Sequence, residues 1–501
     1  MLRLETILDA VTGLRDIRGR RDRNVGAIRY DSRHVRPGDL YVAVNGPDDR
    51  ALAFIPTALA NGATTLVTDA PESIETPMDG DITIIVVDDA RHAMAQMAHR
   101  MAGYPARKLN IYGVTGTNGK TTVAFVLKQL LEACGKATGL IGTLGKVLDH
   151  IVPTGYTTPE APELVDILDE MVRTGYSSVV MEVSSHALVL QRVACIEFAG
   201  ALFTNLTQDH LDFHITMDAY RDAKRLLFDR LDSGRPAVVN IDDVYGEYMA
   251  HNAIASLVRY GTAPSADARI EAVELRPGAS RWKVTLSQQL GGGALSVASP
   301  LIGSFNVYNV TAALALALAV GCDPATVQAA VSDLRSVPGR METIPLADGI
   351  VAIIDYAHTP DALQNVIATL RTLSTTGRLT VVFGCGGDRD RMKRPLMGEV
   401  AARLADRVIL TSDNPRGEDP ATIIDEVAAG LPARFQADRI LDRRQAIEYA
   451  LNGAAPSEIV LVAGKGHEDY QIIGGERRHF NDREVVLEWR DRQVASMQSM
   501  R

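Results

Sequence analysis

Cysteine is scarce and scattered: Cys134, Cys195, Cys322 and Cys385 stand far apart, with no C-x-x-C pair among them. That spacing excludes zinc knuckles and a small disulfide framework, and it fits a reducing cytoplasm. Long apolar runs are missing as well. The richest, "TAALALALAVGC" from Thr311, falls short of the roughly 20 residues a membrane span requires and reads as a buried helix. The N-terminus, "MLRLETILDAVTGLRDIRGRRDR", breaks its apolar positions with acids and bases, so it predicts an amphipathic helix and not a signal peptide. There is no basic excess: a net charge of -10 excludes general binding to nucleic acid or to an anionic membrane. Any anionic ligand needs a local positive pocket. Low-complexity tracts are absent too, and with 46% hydrophobic and 23% charged residues the chain has the composition of a folded protein.

What is present points to several α/β units. A chain of 501 residues exceeds what one core sustains, so two to four domains of roughly 100 to 200 residues are expected. Up to about Ala106, strand-like runs ("DLYVAV", "ATTLVTD") and one helix ("AFIPTALANGA") describe a small α/β domain, and "GYPARK" reads as a linker. From Leu109, strands and helices alternate ("LNIYGVTG", "TTVAFVLKQLLEACG", "SSVVMEVSS", "FAGALFTNL"), the pattern of a mostly parallel sheet covered on both faces. After a break near "SVPGRME" the alternation resumes in a third, Rossmann-like unit. Ligands of open parallel sheets gather at the carboxyl ends of the strands. Asp355 and His358, Arg389, Asp413 to Arg416, and Gly464 with Glu468 all fall there and are expected to converge on one crevice.

"YGVTGTNGKTT" follows an apolar strand and precedes a long helix. In the loop Gly116, Thr117, Asn118, Gly119, Lys120, Thr121 and Thr122, the glycines can offer backbone N–H groups to phosphate, Lys120 can reach the terminal phosphates, and Thr121 can ligate magnesium. The strict phosphate-loop spacing is not met, because Val114 takes the first glycine position and Gly113 lies one residue early. Glu182 ends the run "SSVVMEV", where phosphate-loop enzymes hold magnesium from a second strand; an ordinary strand-end acid would look the same. His210, Asp212 and His214 in "FTNLTQDHLDFH" have a spacing that also suits zinc, but no cysteine accompanies them and a carboxylate-rich phosphate site favours magnesium. Taken alone, His210 reads as a hydrogen-bonded loop histidine and Lys224 as a solvated lysine on an amphipathic helix.

Together, "TGTNGKTT", "MEVSSHAL", "FTNLTQDHLDFH", "AYRDAKRLLF", "SFNVYN", "VPGRME", "DYAHTPDAL", "GCGGDRDRMKRPLM", "SDNPRGEDP" and "AGKGHEDYQ" closely resemble the Mur ligases of bacterial cell-wall synthesis, in family order from the linker almost to the C-terminus. The resemblance implies three domains: residues 1–106 for the UDP end of the substrate, a central P-loop ATPase domain at 107–338, and an amino-acid-binding domain at 339–501. It implies ATP-dependent ligation of meso-2,6-diaminopimelate to the D-glutamyl side-chain carboxylate of UDP-N-acetylmuramoyl-L-alanyl-D-glutamate through an acyl phosphate. It implies that Lys224 is carbamylated and binds a second Mg2+ with His210, while Thr121 and Glu182 serve the first. By the same resemblance Asn309 and Arg340 contact ATP, and Thr157, Thr158, Ser184 and Arg192 hold the muramoyl dipeptide. Ser32 belongs to the UDP pocket, Arg389, Gly464 and Glu468 contact the amino acid, and His358 orients groups at the domain junction. Two departures stand out: Leu190 replaces a polar contact of a close relative, and "GPDDRALAF" lacks the usual glycine and histidine. The expected protein is a cytoplasmic monomer with no membrane insertion. Ligation of L-lysine is the nearest rival reading. A folylpolyglutamate synthetase is disfavoured by "GKTT" and the preceding domain, and a nucleotide-dependent binding protein by Glu182, His210 and Lys224.

In "TSDNPRGEDP" a turn accounts for Asp413, Asn414 and Pro415 but not for Arg416. Meso-diaminopimelate differs from lysine by one remote carboxylate, and arginine supplies a planar, permanently charged partner for it. Asp413 and Asn414 are expected to take the distal ammonium and hold the guanidinium, with Pro415 restricting the loop. Lysine in such a pocket would leave a buried guanidinium unpartnered, at a cost of about 3 to 5 kcal/mol.

Overall fold

The computed structural model describes residues 1–44, 51–70, 81–251, 253–276, 279–373 and 377–499. Its three main sheets follow one another along the chain. The first has five strands, in the order Leu14–Arg18, Thr83–Val87, Thr65–Thr68, Leu40–Val42 and Ile28–Arg29, parallel except for the first pair. The expected N-terminal helix is cut short here. Only Leu4–Leu8 is helical, and Leu14–Arg18 is a strand. Gly13 makes the break: its φ is +73°, and a Cβ there would meet Asp88 Oδ2 at 2.6 Å, so the turn ahead of the strand requires glycine. The helix expected at "AFIPTALANGA" spans Ile55–Ala60, preceded by a 3-10 turn at Ala51–Phe54. Residues 46–50, the first part of the departing stretch "GPDDRALAF", lie outside the described residues.

The second sheet has eleven strands, and its parallel centre runs from Thr138–Gly142 through Ser178–Glu182, Asn110–Thr115, Phe198–Phe203 and Pro236–Asn240 to Ser256–Gly261. Antiparallel hairpins extend both edges. These central strands are apolar throughout because helices cover both faces. One cover is Ser304–Ala319, the helix expected at "TAALALALAVGC", buried along nearly its whole length and packed on helix Lys120–Ala133. Asn110–Thr115 lies between Ser178–Glu182 and Phe198–Phe203, so the chain passes to opposite sides of this strand as it continues. That reversal opens a crevice at the strand's carboxyl end, where "GTNGKTT" sits.

The third sheet orders its strands as Glu342–Pro345, Val351–Asp355, Ile459–Ala463, Leu379–Phe383, Arg407–Leu410 and Asp438–Arg439, parallel apart from the first pair. The last strand in sequence, Ile459–Ala463, is inserted between the first two parallel ones. Its following loop, Gly464 to Glu468, therefore emerges at the middle of the carboxyl edge. Beneath that edge Arg443, fully buried, donates from Nε and Nη2 to Asp482 at 2.7 Å each, and also to the carbonyls of Ser412 (3.3 Å) and Ala463 (3.0 Å). One guanidinium thus anchors the roots of two loops, those that begin at Asp413 and Gly464. Asp482→Ala is expected to lower stability by about 3 to 5 kcal/mol, because it strands that charge in the interior; urea unfolding followed by circular dichroism measures the loss.

Candidate active site

The loop after Asn110–Thr115 has the expected conformation. Gly116 and Gly119 take φ of +146° and +85°, and a Cβ on either would collide, with Thr204 Oγ1 at 1.9 Å and with Asn309 Oδ1 at 2.4 Å. Helix Lys120–Ala133 starts at once, so its N-terminal N–H groups and positive dipole end face the loop. The loop is braced by two residues that sequence reasoning missed, although they lie in the quoted block "FTNLTQDHLDFH". Thr204 Oγ1 and Asn205 Nδ2 donate to the Asn118 carbonyl (2.6 and 3.1 Å), while the Asn205 carbonyl and Oδ1 accept from Thr117 N and Asn118 N (2.8 and 2.9 Å).

Two lysines meet at this loop. Lys120 Nζ donates to the carbonyls of Gly116 and Thr117, both at 2.9 Å, and Lys224 Nζ donates to the Gly116 carbonyl at 2.8 Å. The solvated-face reading of Lys224 is therefore corrected: its helix, Met217–Arg225, turns the residue into the protein, where it is 1% exposed. Burial drives the Lys224 amine well below its ordinary pKa, and the neighbouring Lys120 charge adds to the effect. Burial also lowers Lys120, against the pull of Glu182 and Asp209.

Thr121 Oγ1 donates to Glu182 Oε2 at 3.0 Å, and Glu182, fully buried, accepts from Thr143 N (2.8 Å) and Thr143 Oγ1 (3.0 Å). This is a preformed pair of hard oxygen donors beside the phosphate loop, the donor type that Mg2+ prefers. His210 lies edge-on to His186 at 4.9 Å, and burial holds its ring pKa down, leaving it neutral near pH 7. His214 instead bonds Ser185 Oγ at 2.9 Å. Among the described residues no three His, Cys, Asp or Glu side chains converge as a metal cluster, so the zinc spacing of the sequence does not close in space.

Two cavities flank this centre. One, of about 380 Å³, is lined by Asn118, Gly119, Thr122, Asn309 and Arg340, five of the expected nucleotide contacts; Gly116, Thr117, Lys120 and Thr121 are not in its lining. Arg340 bridges the units: its Nη2 donates to Thr121 Oγ1 at 3.1 Å and its guanidinium lies 4.4 Å over the Tyr356 ring. Asp355 lines this cavity and not the larger cleft, a correction to the single crevice expected at the sheet edge; its carboxylate accepts Met341 N and Ala357 N, both at 2.7 Å.

The second cavity, about 920 Å³, gathers residues from the second and third sheets. Thr157, Thr158, Ser184, Arg192 and His210 come from one side, and His358, Arg389, Asp413, Asn414, Arg416, Gly464 and Glu468 from the other. Arg192 is held by Glu160 (2.8 Å) and donates to the Thr158 carbonyl (3.0 Å), and Thr158 Oγ1 donates to the Glu182 carbonyl (2.8 Å). Ser32 lies in the first unit, buried and outside both cavities, and Pro415 is buried behind its loop. Two further residues of this cleft were not singled out in the sequence: Lys393 and Asp209, both buried, face each other across it at 4.0 Å. Burial, with the Lys393 charge, lowers the pKa of nearby His358 to about 4, and His358 Nδ1 bonds the Tyr356 carbonyl at 2.9 Å.

Arg416 sits in a left-handed conformation (φ +52°) with its backbone clipped to Ile472 and Gly474. Its Nη1 donates to the carbonyls of Gly387 (2.8 Å) and Asn414 (3.4 Å). Among the described residues neither Arg416 nor the exposed Arg389 has a carboxylate within 4.0 Å, whereas the buried Arg394 is matched by Glu418 and Glu426. One expectation changes here. Backbone carbonyls, not the side chains of Asp413 and Asn414, hold the guanidinium. The Asn414 amide is already engaged, donating to Glu468 Oε2 (2.9 Å) and accepting from Lys465 Nζ (3.2 Å) and Ile472 N (3.0 Å).

Residues 114–317 match the family described as Mur ligase middle domain, and residues 339–466 that described as Mur ligase, glutamate ligase domain. A UDP-N-acetylmuramoyl-L-alanyl-D-glutamate--2,6-diaminopimelate ligase of Geobacillus thermodenitrificans is 42% identical over 493 residues, covering 97% of this chain and 98% of that one. A solved structure under the same enzyme name is 34% identical, with a TM-score of 0.64 over 94% of this chain and 95% of that one. The MurF ligase of Thermotoga maritima in complex with ADP shares the fold, with a TM-score of 0.64 and 19% identity over 94% of this chain and 98% of that one. The geometry of the loop generates a direct test. Gly119→Ala is expected to weaken ATP binding about tenfold or more, equivalent to about 1.4 kcal/mol, as measured by isothermal titration calorimetry.

Proposed function

The chain belongs to the Mur ligase family, and on that premise we propose that it uses ATP to join meso-2,6-diaminopimelate to the D-glutamyl side-chain carboxylate of UDP-N-acetylmuramoyl-L-alanyl-D-glutamate, a step of peptidoglycan precursor synthesis in the cytoplasm. The observation that carries the choice of amino acid is the pair Arg416 and Arg389, two guanidiniums on one cleft that lack carboxylate partners among the described residues, beside the acceptor Glu468. A ligand with two carboxylates and two ammonium groups complements that wall. Residues 1–106 with Ser32 then take the UDP end, 107–338 the nucleotide, and 339–501 the amino acid.

Carboxylate and amine do not condense at neutral pH without activation. The substrate carboxylate attacks the terminal phosphorus of ATP, and the bond to the bridging oxygen breaks, giving an acyl phosphate and ADP. The neutral amine of diaminopimelate then attacks the acyl carbon; the C–O bond to phosphate breaks, phosphate leaves, and the amine loses its proton to solvent or a nearby base. The protein works chiefly by position and charge. Lys120 and the N-terminus of Lys120–Ala133 hold the migrating phosphoryl group, Thr157, Thr158, Ser184 and Arg192 hold the acceptor, and Lys393 faces the cleft where the acyl phosphate forms. Lys120 gives up its bonds to the Gly116 and Thr117 carbonyls when phosphates arrive.

Thr121 and Glu182 are suited to one Mg2+, and His210 with a carbamylated Lys224 to a second; bound there, the ions neutralise the phosphate charge. Carbamylation needs a neutral amine: Lys224 Nζ attacks carbon dioxide, a C–N bond forms, and the amine proton passes to solvent. The lowered pKa supports this, because protonation competes only when the pH falls below that depressed value.

Three measurements test the reading. Arg416→Ala is expected to raise KM for meso-diaminopimelate about 100-fold, near 2.8 kcal/mol, with KM for ATP unchanged. Equal or better turnover of L-lysine by the unmodified protein would refute the role given to Arg416. Stripping carbon dioxide from the buffer is expected to slow ligation, and added bicarbonate to restore it; a rate indifferent to bicarbonate contradicts the carbamate.

A further inference from the structure

Lys465 is fully buried, does not line the cleft, and has no part in the chemistry above. It lies between Gly464 and Gly466, whose φ values of +116° and +53° turn its side chain inward under the loop. Its Nζ reaches three groups that do line the cleft: Glu468 Oε2 at 3.0 Å, Asn414 Oδ1 at 3.2 Å and Asp413 Oδ1 at 3.4 Å. The ring of Tyr470 lies 5.4 Å away. An ammonium in that position is costly unless the charges around it require it.

The surrounding charges supply the requirement. Asp413 and Glu468 are close enough that burial and the Asp413 carboxylate together raise the Glu468 pKa, while Lys465 and Asn414 pull it back down. The nearby Arg443 also feels both carboxylates, but Asp482 pairs with it at 2.7 Å on both sides, so the two together add no net charge. Asp413, Glu468 and Lys465 leave this cluster with a single negative charge, beside the Arg416 guanidinium on the same cleft. The bonds are also one-sided: Asn414 and Lys465 both bond Oε2 of Glu468, so Oε1 is the oxygen left to the cleft, and Lys465 bonds Asp413 through Oδ1, while Oδ2 lies beneath Gly464.

Resting on the amino-acid reading of this cleft, we infer that Lys465 is a positioning residue that sets the pocket's charge: it cancels one of two adjacent carboxylates and pins Glu468 and Asn414, so that the wall presents one negative charge to one ammonium of the incoming diamino acid. The test is a charge compensation. Glu468→Gln leaves Lys465 and Asp413 balanced, so the wall is neutral, and KM for meso-diaminopimelate is expected to rise at least about tenfold. Adding Lys465→Met to that variant restores the single negative charge. KM should then fall at least about threefold relative to Glu468→Gln alone, with KM for ATP not moved by the second substitution. A lysine that served only as scaffold would make the double variant worse, so an equal or higher KM overturns the inference. Lys465→Gln with Glu468→Gln keeps a hydrogen-bonding group in place of the ammonium and must show the same direction. If neither double variant binds ADP, Lys465 is scaffold and the inference falls. Failure of the underlying reading looks different: the unmodified protein would not turn over meso-diaminopimelate.

Discussion

Two parallel sheets point the carboxyl ends of their strands at one another, and the chemistry depends on that opposition. The phosphate loop stands at the reversal point of the second sheet, and four loops of the third rise opposite it. Polar contacts bridge the gap: Arg340 to Thr121, Asn118 Nδ2 to Asp361 at 2.9 Å, and His467 Nε2 to the Thr143 carbonyl at 3.1 Å. Polar bridges of this kind can break and re-form as the cleft opens for substrates, which an apolar seam would resist. The larger apolar cores lie within single units, with Ile302 and Phe305 of the second packed against the core of the third.

Electrostatics sets apart two kinds of cation around the loops of the third sheet and the phosphate loop. Arg394 and Arg443 are buried with full carboxylate complements, and they shape the frame behind the loops. Arg389, Arg416 and Lys120 have no such partners and face the places where phosphate and carboxylate groups are expected. In a chain of net charge -10, cations left without acid partners at one centre form the local positive pocket that anionic substrates need. Lys465 belongs to neither kind, being paired twice over yet placed to tune what the cleft displays.

Much of this was legible in the sequence, and the unread part shares a cause. The phosphate loop could be read because its glycines, lysine and following helix are contiguous, and the C-terminal strands because fully buried parallel strands are apolar from end to end. The N-terminal helix was overextended because apolar spacing ran across Gly13, whose turn depends on Asp88, a residue 75 positions away in sequence. Lys224 looked like a surface residue since helical periodicity cannot reveal that its face packs beneath another loop. Asn205, Asp209, Lys393 and Lys465 were all inside recognised blocks, yet their roles come from partners brought by other strands, and local pattern carries no trace of those. The Asn414 side chain was expected to hold the Arg416 guanidinium for the same reason: its acceptor is taken by Lys465 and Ile472 N.

The central claim is that a remote carboxylate of the incoming diamino acid meets the Arg416 guanidinium. A crystal structure with meso-diaminopimelate bound tests it most directly. The account predicts that carboxylate within hydrogen-bond reach of Arg416, with an ammonium on Glu468. A ligand whose carboxylates both lie elsewhere while the guanidinium turns to solvent would contradict it.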